Sequence, residues 1–164
     1  MDNNESIGTI AEALVSELLA AGKTASTAES CTGGWIAKVC TDLAGSSHWF
    51  ERGIVSYSNA AKSELLQVGQ HVLEQHGAVS RETAEAMALG VLAASRAQLS
   101  LAVTGIAGPD GGTDDKPVGS VWFAWAGDGQ CRSELRQFNG SREQVRLQTV
   151  EYALLGLDRF VDEL

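Results

Sequence analysis

Basic residues are scarce in this sequence. It contains 12 lysines and arginines against 21 aspartates and glutamates, which gives a formal net charge of −9. Nonspecific nucleic-acid binding requires clustered Lys and Arg side chains that displace the counterions of the phosphates. The deficit argues against a nucleic-acid partner, and it means that any anionic ligand must be held by a few local cations.

Cysteine is rare, and long apolar runs are missing. The three cysteines lack the spacing of metal ligands and the three histidines are scattered, so we expect reduced thiols, no disulfide framework and no metal site. No apolar run approaches the roughly 18 residues of a membrane span. Residues 1–5 are acidic and lack the basic start and apolar core of a secretory signal. We therefore expect a cytoplasmic protein with no membrane partner.

The composition that remains is that of an ordinary globular protein, with 44% hydrophobic and 20% charged residues. A chain of 164 residues is most simply one domain, so residues 1–164 are expected to form a single domain. Its pattern alternates strands with helices and ends in a hairpin. This order predicts an α/β fold, a three-layer α/β/α sandwich with a mixed, mostly parallel sheet and an antiparallel edge hairpin.

Helical periodicity is clearest in three segments, residues 7–18, 80–95 and 141–157. Shorter helices are predicted at 35–43 and from Asn59, which is interpreted as the N-cap residue. The last helix begins with a capping box of Ser141 and Gln144. Its apolar residues lie on two sides, which suggests burial on both and favours a homodimer or higher homo-oligomer.

Five segments have the composition of strands, and the last two are joined by a tight turn at Gly127, Asp128 and Gly129. The predicted strands are 23–28, 53–57, 99–104, 119–126 and 130–138. Glycine-rich stretches follow the first and third of them. Open α/β sheets place their ligands at such strand exits.

The first of these exits runs from Ser30 to Gly34. Gly33 and Gly34 let the backbone approach a ligand closely, and the first turn of the following helix is expected to present unpaired N–H groups to an anion or a developing oxyanion. Ser30 and Cys31 add nucleophilic side chains at the same point. A simple capped helix after a strand explains these residues equally well, so this stretch alone leaves both interpretations open.

Three basic residues stand at predicted helix starts, against the helix dipole. Lys62 alone would ordinarily be a solvated surface lysine. Arg142 and Arg146 are four residues apart on one face, where they repel each other, and a docked anion would relieve that conflict. The second glycine-rich exit, residues 105–112 after Thr104, is by itself explained as a surface turn.

A nucleophilic serine requires a base, and no histidine is placed to serve Ser30. Lys62 remains as the candidate base, relayed or positioned by Tyr57. Such an arrangement needs a lysine that is partly neutral near pH 7, which desolvation and nearby cations can achieve. Arg142 and Arg146 are the expected source of that cationic influence.

Several long motifs in fixed order resemble the CinA C-terminal domain family. They cover almost the whole chain and are residues 28–34, 45–53, 57–62, 103–112 and 116–121. The resemblance implies hydrolysis of the carboxamide of nicotinamide mononucleotide to nicotinic acid mononucleotide and ammonia, within pyridine-nucleotide salvage. It implies no metal or other cofactor, and a small-molecule nucleotide as the partner.

The resemblance also implies a role for each candidate residue. Ser30 would attack the amide carbon while Lys62 and Tyr57 handle protons, and N–H groups near Gly33 and Gly34 would stabilise the oxyanion. The residues expected to line the nucleotide site and bind its phosphate are Thr104, Gly105 and Gly108 with Arg142 or Arg146.

Other interpretations stay open from the sequence alone. Cys31 is the rival nucleophile. The chain would otherwise be a catalytically silent nucleotide-binding or regulatory paralogue, linked to competence or the damage response. A related amide or pyrophosphate hydrolase is the second enzymatic alternative, and dependence on a divalent metal would mark the pyrophosphatase.

Overall fold

The computed structural model describes residues 3–164, with side chains from residue 6 onward. Residues 1 and 2, which begin the acidic N-terminal stretch of residues 1–5, lie outside the described residues. The helices are α1 (Asn3–Ala21), α2 (Trp35–Asp42), α3 (Asn59–Leu66), α4 (Gln70–His76), α5 (Arg81–Ala93) and α6 (Arg142–Asp162). The strands are β1 (Ala25–Glu29), β2 (Phe50–Val55), β3 (Leu99–Gly105), β4 (Ser120–Gly127) and β5 (Gln130–Gln137). None of these described helices has the length and apolar composition to cross a bilayer.

One five-stranded sheet organises the chain, in the order β2-β1-β3-β4-β5. Strand β1 runs parallel to both β2 and β3, whereas β4 is antiparallel to β3 and to β5. Every residue of β1 is buried, as expected for a central strand that is covered on both faces. The predicted mixed sheet with a parallel centre and an antiparallel edge hairpin is confirmed.

Helices cover both faces of the sheet, which confirms the three-layer sandwich. Leu99, Leu101 and Val103 of β3 belong to the larger core, together with apolar residues of α1, α2 and α6. Ala102 of β3 and Ala124 of β4 point to the other face and pack with α3, α4 and α5. Successive residues of a strand face opposite sides, so a single buried strand supplies both cores.

Local boundaries differ from the predictions at several points: β1 spans Ala25–Glu29 rather than 23–28, α4 is not predicted, and β2 and α3 begin at other residues than expected. Strand β2 begins at Phe50 rather than residue 53. The prediction of Asn59 as the N-cap of α3 is wrong, because Ser58 accepts a hydrogen bond from the Ala61 N–H at 3.0 Å and Asn59 is the first helical residue. Both residue types are good N-caps, so the choice depends on which one has the extended backbone that a cap requires, and Ser58 has it.

Helix α6 begins with the predicted capping box of Ser141 and Gln144. It packs against α1 on one side and against β3 and β4 on the other. The double-sided burial that suggested a homodimer is therefore satisfied within the chain. The oligomeric state stays a prediction that this helix does not support.

Candidate active site

The carboxyl ends of β1, β2 and β3 meet at a cavity of about 270 Å³. It brings together six of the predicted site residues, namely Ser30, Tyr57, Lys62, Thr104, Gly105 and Arg142. Cys31, Ala78, Val79, Ile106 and Ala107 complete its lining. A larger groove of about 610 Å³ between α3 and α4 contains none of the predicted site residues. The chemistry is therefore concentrated in the smaller cavity.

Ser30 is the first residue beyond β1, and its backbone N–H donates to the Val103 carbonyl at 3.1 Å. Its own carbonyl accepts from the Gly33 N–H at 3.0 Å, which closes a tight turn. Gly33 and Gly34 have φ angles of 61° and 103°, in the left-handed region that glycine adopts without steric cost. The two glycines thus allow the chain to turn sharply from β1 into α2, and neither lines the cavity.

The start of α2 does not present free N–H groups to a ligand, which corrects the sequence prediction. The Trp35 N–H donates to the Thr32 carbonyl at 3.1 Å. The Ile36 and Ala37 N–H groups donate to the carboxylate of Glu29, at 2.8 and 3.0 Å. The positive end of this helix therefore already has its anion, supplied by the residue before Ser30.

Lys62 lies on α3 and is almost completely buried, so the alternative of a solvated surface lysine is excluded. Its Nζ lies 2.9 Å from Ser30 Oγ, within hydrogen-bonding distance, and donates to the Ser56 carbonyl at 2.9 Å and to the Tyr57 carbonyl at 3.4 Å. Burial lowers the pKa of Lys62 below its ordinary value, and a smaller opposing influence comes from Cys31. The two arginines, which were expected to lower this pKa, are not among the causes of the shift. Desolvation alone lowers it, and this makes Lys62 a stronger candidate base.

The side chain of Tyr57 is 62% exposed, and its hydroxyl accepts a hydrogen bond from Arg142 Nη2 at 3.2 Å. Its contact with Lys62 is made through its backbone carbonyl. Tyr57 therefore helps to orient Lys62 with its main chain, while its hydroxyl is bonded to Arg142.

The two arginines of α6 have separate environments. Arg142 lines the cavity, where Nη1 donates to the Gly108 carbonyl at 2.8 Å. Arg146 donates from Nε to the Cys31 carbonyl and from Nη2 to the Thr32 carbonyl, both at 3.1 Å, and its guanidinium lies over the Trp35 ring. Arg142 thus faces the cavity, whereas Arg146 holds the turn that carries Ser30.

Thr104 connects the second glycine-rich exit to a segment that sequence reasoning missed. It is buried, and its Oγ1 donates to the Ala78 carbonyl at 2.8 Å. Ala78 and Val79 line the cavity but carry no chemical group in their side chains. Nothing in the sequence distinguishes them, and only the fold brings their backbone to the site.

Cys31 is buried beside Ser30, and desolvation raises the pKa of its thiol to about 12. A thiol with such a pKa stays protonated at neutral pH and is a poor nucleophile. Among the described residues, no three His, Cys, Asp or Glu side chains are grouped so that they could hold a metal ion. Besides this thiol, the polar side chains of the cavity are thus the hydroxyls of Ser30, Tyr57 and Thr104, a desolvated amine and a guanidinium.

Comparisons with known proteins agree with this architecture. Nicotinamide-nucleotide amidohydrolase PncC of Escherichia coli (strain K12) is 53% identical over 148 residues, which is 88% of both chains. The protein of the same name from Pseudomonas putida is 52% identical over 151 residues, 92% of this chain and 94% of that one. The crystal structure of the competence/damage inducible protein CihA from Agrobacterium tumefaciens superposes with a TM-score of 0.91 at 44% identity, covering 96% of each chain.

The family model of the CinA C-terminal domain matches residues 7–161, nearly the full length of this chain. That span includes the turn at Ser30, the buried Lys62 and the start of α6. The chain belongs to the CinA C-terminal domain family.

Proposed function

We propose that this protein hydrolyses the carboxamide of nicotinamide mononucleotide to nicotinic acid mononucleotide and ammonia, with Ser30 as the nucleophile and Lys62 as its base. Relatives of 53% and 52% identity bear the name nicotinamide-nucleotide amidohydrolase, which supports the substrate class. The observation that carries the mechanism is the 2.9 Å contact between Lys62 Nζ and Ser30 Oγ inside the protein. The proposed setting is pyridine-nucleotide salvage in the cytoplasm.

The surroundings of Lys62 fit a neutral amine. A neutral amine has two N–H donors and one lone pair. The carbonyls of Ser56 and Tyr57 accept the two N–H groups, which leaves the lone pair directed at Ser30 Oγ. Among the described residues, no carboxylate forms an ion pair with this lysine, so no opposite charge offsets the cost of burying its ammonium form.

The proposed reaction then proceeds by two proton transfers in each half. The Ser30 hydroxyl gives its proton to Lys62 as Oγ bonds to the carboxamide carbon, and the resulting ammonium stands next to the developing oxyanion. Lys62 returns this proton to the amide nitrogen, which leaves as ammonia and produces an acyl-enzyme. A water molecule then attacks the acyl carbon, giving a proton to Lys62 that is passed back to Ser30.

The test is ammonia release from nicotinamide mononucleotide by the purified protein in excess chelator, with the product identified by chromatography. We expect one ammonia per nicotinic acid mononucleotide formed. Nucleotide binding without ammonia release would instead indicate a regulatory or binding paralogue. Metal-dependent cleavage at a phosphate would indicate a pyrophosphate hydrolase.

We further propose that Arg142 binds the phosphate of the substrate, since it faces the cavity while Arg146 is bonded to the Ser30 turn. In Arg142→Met the KM for the mononucleotide is expected to rise about 10- to 100-fold, the value of a lost hydrogen bond to a charged group. The KM for the riboside, which lacks the phosphate, should not change. A KM for the riboside that rises equally would assign Arg142 to the shape of the cavity instead.

A further inference from the structure

Glu29 is a buried carboxylate that the proposed mechanism does not use. Its side chain has no exposed surface, and it accepts hydrogen bonds from Thr32 Oγ1 at 2.6 Å and from the Ile36 and Ala37 N–H groups at 2.8 and 3.0 Å. A buried charge is costly unless its hydrogen bonds are satisfied. All three donors belong to the turn and helix that immediately follow Ser30. The hydrogen bonds of Glu29 therefore stabilise the conformation of that turn.

Arg146 binds the same turn through the carbonyl groups of its backbone. Its guanidinium binds the carbonyls of Cys31 and Thr32, while Glu29 binds the hydroxyl of Thr32 and the N–H groups beyond it. The turn therefore has its acceptors tied to a cation and its donors tied to an anion. It cannot shift relative to Lys62 without loss of charge-assisted hydrogen bonds.

Glu29 is not positioned to exchange protons with the reacting groups. It does not line the cavity, and it contacts α2 on one side of the sheet. Lys62 reaches Ser30 from α3, which belongs to the layer on the opposite side. The hydrogen bonds of Glu29 therefore act on the position of the Ser30 backbone and not on proton transfer.

We infer that Glu29 is a positioning residue that fixes Ser30 Oγ against Lys62 by organising the turn at Thr32 and the start of α2. This inference rests on the proposed amidohydrolase function. The requirement is geometric, because an error of about 1 Å in the placement of a reacting atom can cost on the order of 10²-fold in rate.

The variant Glu29→Gln keeps the shape of the side chain but replaces one acceptor by an NH₂ donor, which opposes one of the three donors that Glu29 now satisfies. We expect kcat for ammonia release to fall about 10- to 100-fold, with KM within about twofold of wild type. The factor by which activity falls should be the same at every pH. The rise of activity with pH belongs to the deprotonation of Lys62, which the Glu29→Gln variant leaves in place.

A pair of variants at Thr32 tests the contact of Glu29 with this residue without altering a charge. Thr32→Ser keeps the hydroxyl that donates to Glu29 and is expected to keep kcat within about twofold, whereas Thr32→Val removes the donor and should lower kcat about three- to tenfold. This pair decides the question if Glu29→Gln does not fold.

Phe160→Leu is the control for stability. Phe160 is a buried core residue near the end of α6, about 27 Å along the helix axis from Arg142. The variant is expected to lower Tm while kcat and KM stay at wild-type values.

The outcomes are separable. If the wild type releases no ammonia, the proposed function fails before any variant is compared. If the wild type is active and folded Glu29→Gln retains its kcat, the positioning role of Glu29 is overturned and the proposed function stands. A loss of kcat in Phe160→Leu as large as that in Glu29→Gln would also overturn it, since reduced stability would then explain both.

Discussion

Ser30 and Cys31 are neighbours in the sequence with very different chemical prospects. The hydroxyl of Ser30 contacts a desolvated amine, whereas burial raises the pKa of the Cys31 thiol to about 12. The reactivity that cysteine ordinarily has over serine depends on the thiolate, which this environment suppresses. The serine is therefore the nucleophile that the local electrostatics favour.

These two residues give a matched pair of variants. Ser30→Ala is expected to lower kcat by more than about 10³-fold while folding and nucleotide binding stay nearly intact, and Cys31→Ala should keep kcat within about threefold. Steady-state ammonia release together with calorimetric nucleotide binding measures both. Full activity in Ser30→Ala would reject the serine mechanism and favour Cys31 as the nucleophile.

The protonation state of Lys62 predicts a pH profile. Only the neutral amine accepts the Ser30 proton, so kcat/KM should rise with pH through the pKa of Lys62, and burial places that pKa below the ordinary value of 10.5. Lys62→Arg is the informative variant, because a guanidinium keeps the charge and cannot be deprotonated. It should be inactive across the same pH range, and a rising limb that survives in it would assign the titration to another group.

At the scale of elements, the contact between α6 and β4 determines how closely this helix lies on the sheet. Trp125 of β4 lies against Gly156 of α6, and its Nε1 donates to the Ala153 carbonyl at 3.0 Å. A Cβ at residue 156 would overlap the Trp125 indole, so the helix can lie this close only with glycine at that position.

Gly156→Ala is therefore expected to destabilise the protein by about 1–3 kcal/mol through overpacking, although alanine is the better helix former. Gly8→Ala is the matched control, since it lies on α1 and a Cβ there meets nothing within 4 Å. That variant should be neutral or raise stability by up to about 1 kcal/mol. Urea unfolding of both measures the difference, and equal stabilisation in the two variants would show that Trp125 moves aside without cost.

At the scale of the whole molecule, the site has a cost in stability. A lysine whose pKa is lower in the folded state than in the unfolded state binds fewer protons when folded, between those two pKa values. The unfolded state then holds more protons, so the free energy of unfolding rises with pH through this window, up to the ordinary value of 10.5. Below the window the protein carries the full penalty of a buried charge.

Urea unfolding of wild type and Lys62→Met at several pH values from 7 to 10 tests this linkage. The free energy of unfolding of the wild type should gain on that of Lys62→Met as the pH rises, because methionine has nothing to titrate. Other groups that titrate in this range are common to both proteins and cancel in the difference. A difference that is independent of pH would mean that Lys62 has the same pKa folded and unfolded.

The sequence by itself determined the order of the elements and most of their character. Period-3.6 and period-2 patterns, strand exits rich in glycine and the capping box at Ser141 are local signals, and the mixed sheet and its layers follow from their order. The helix α4 was missed because seven residues are too few for a clear period. The N-cap of α3 was misplaced because neighbouring Ser58 and Asn59 have similar local preferences.

Only the tertiary structure decided which of the residues marked by these signals contact one another. Lys62 is 32 residues from Ser30 and no periodicity says that its side chain is buried against that hydroxyl. The sequence likewise left Arg142 and Arg146 equivalent, and the packing of α6 turned one toward the cavity and the other toward the Ser30 turn. Burial lowers the pKa of Lys62 and raises that of Cys31. Both side chains are buried by neighbours from distant parts of the chain, because desolvation is a property of the assembled core.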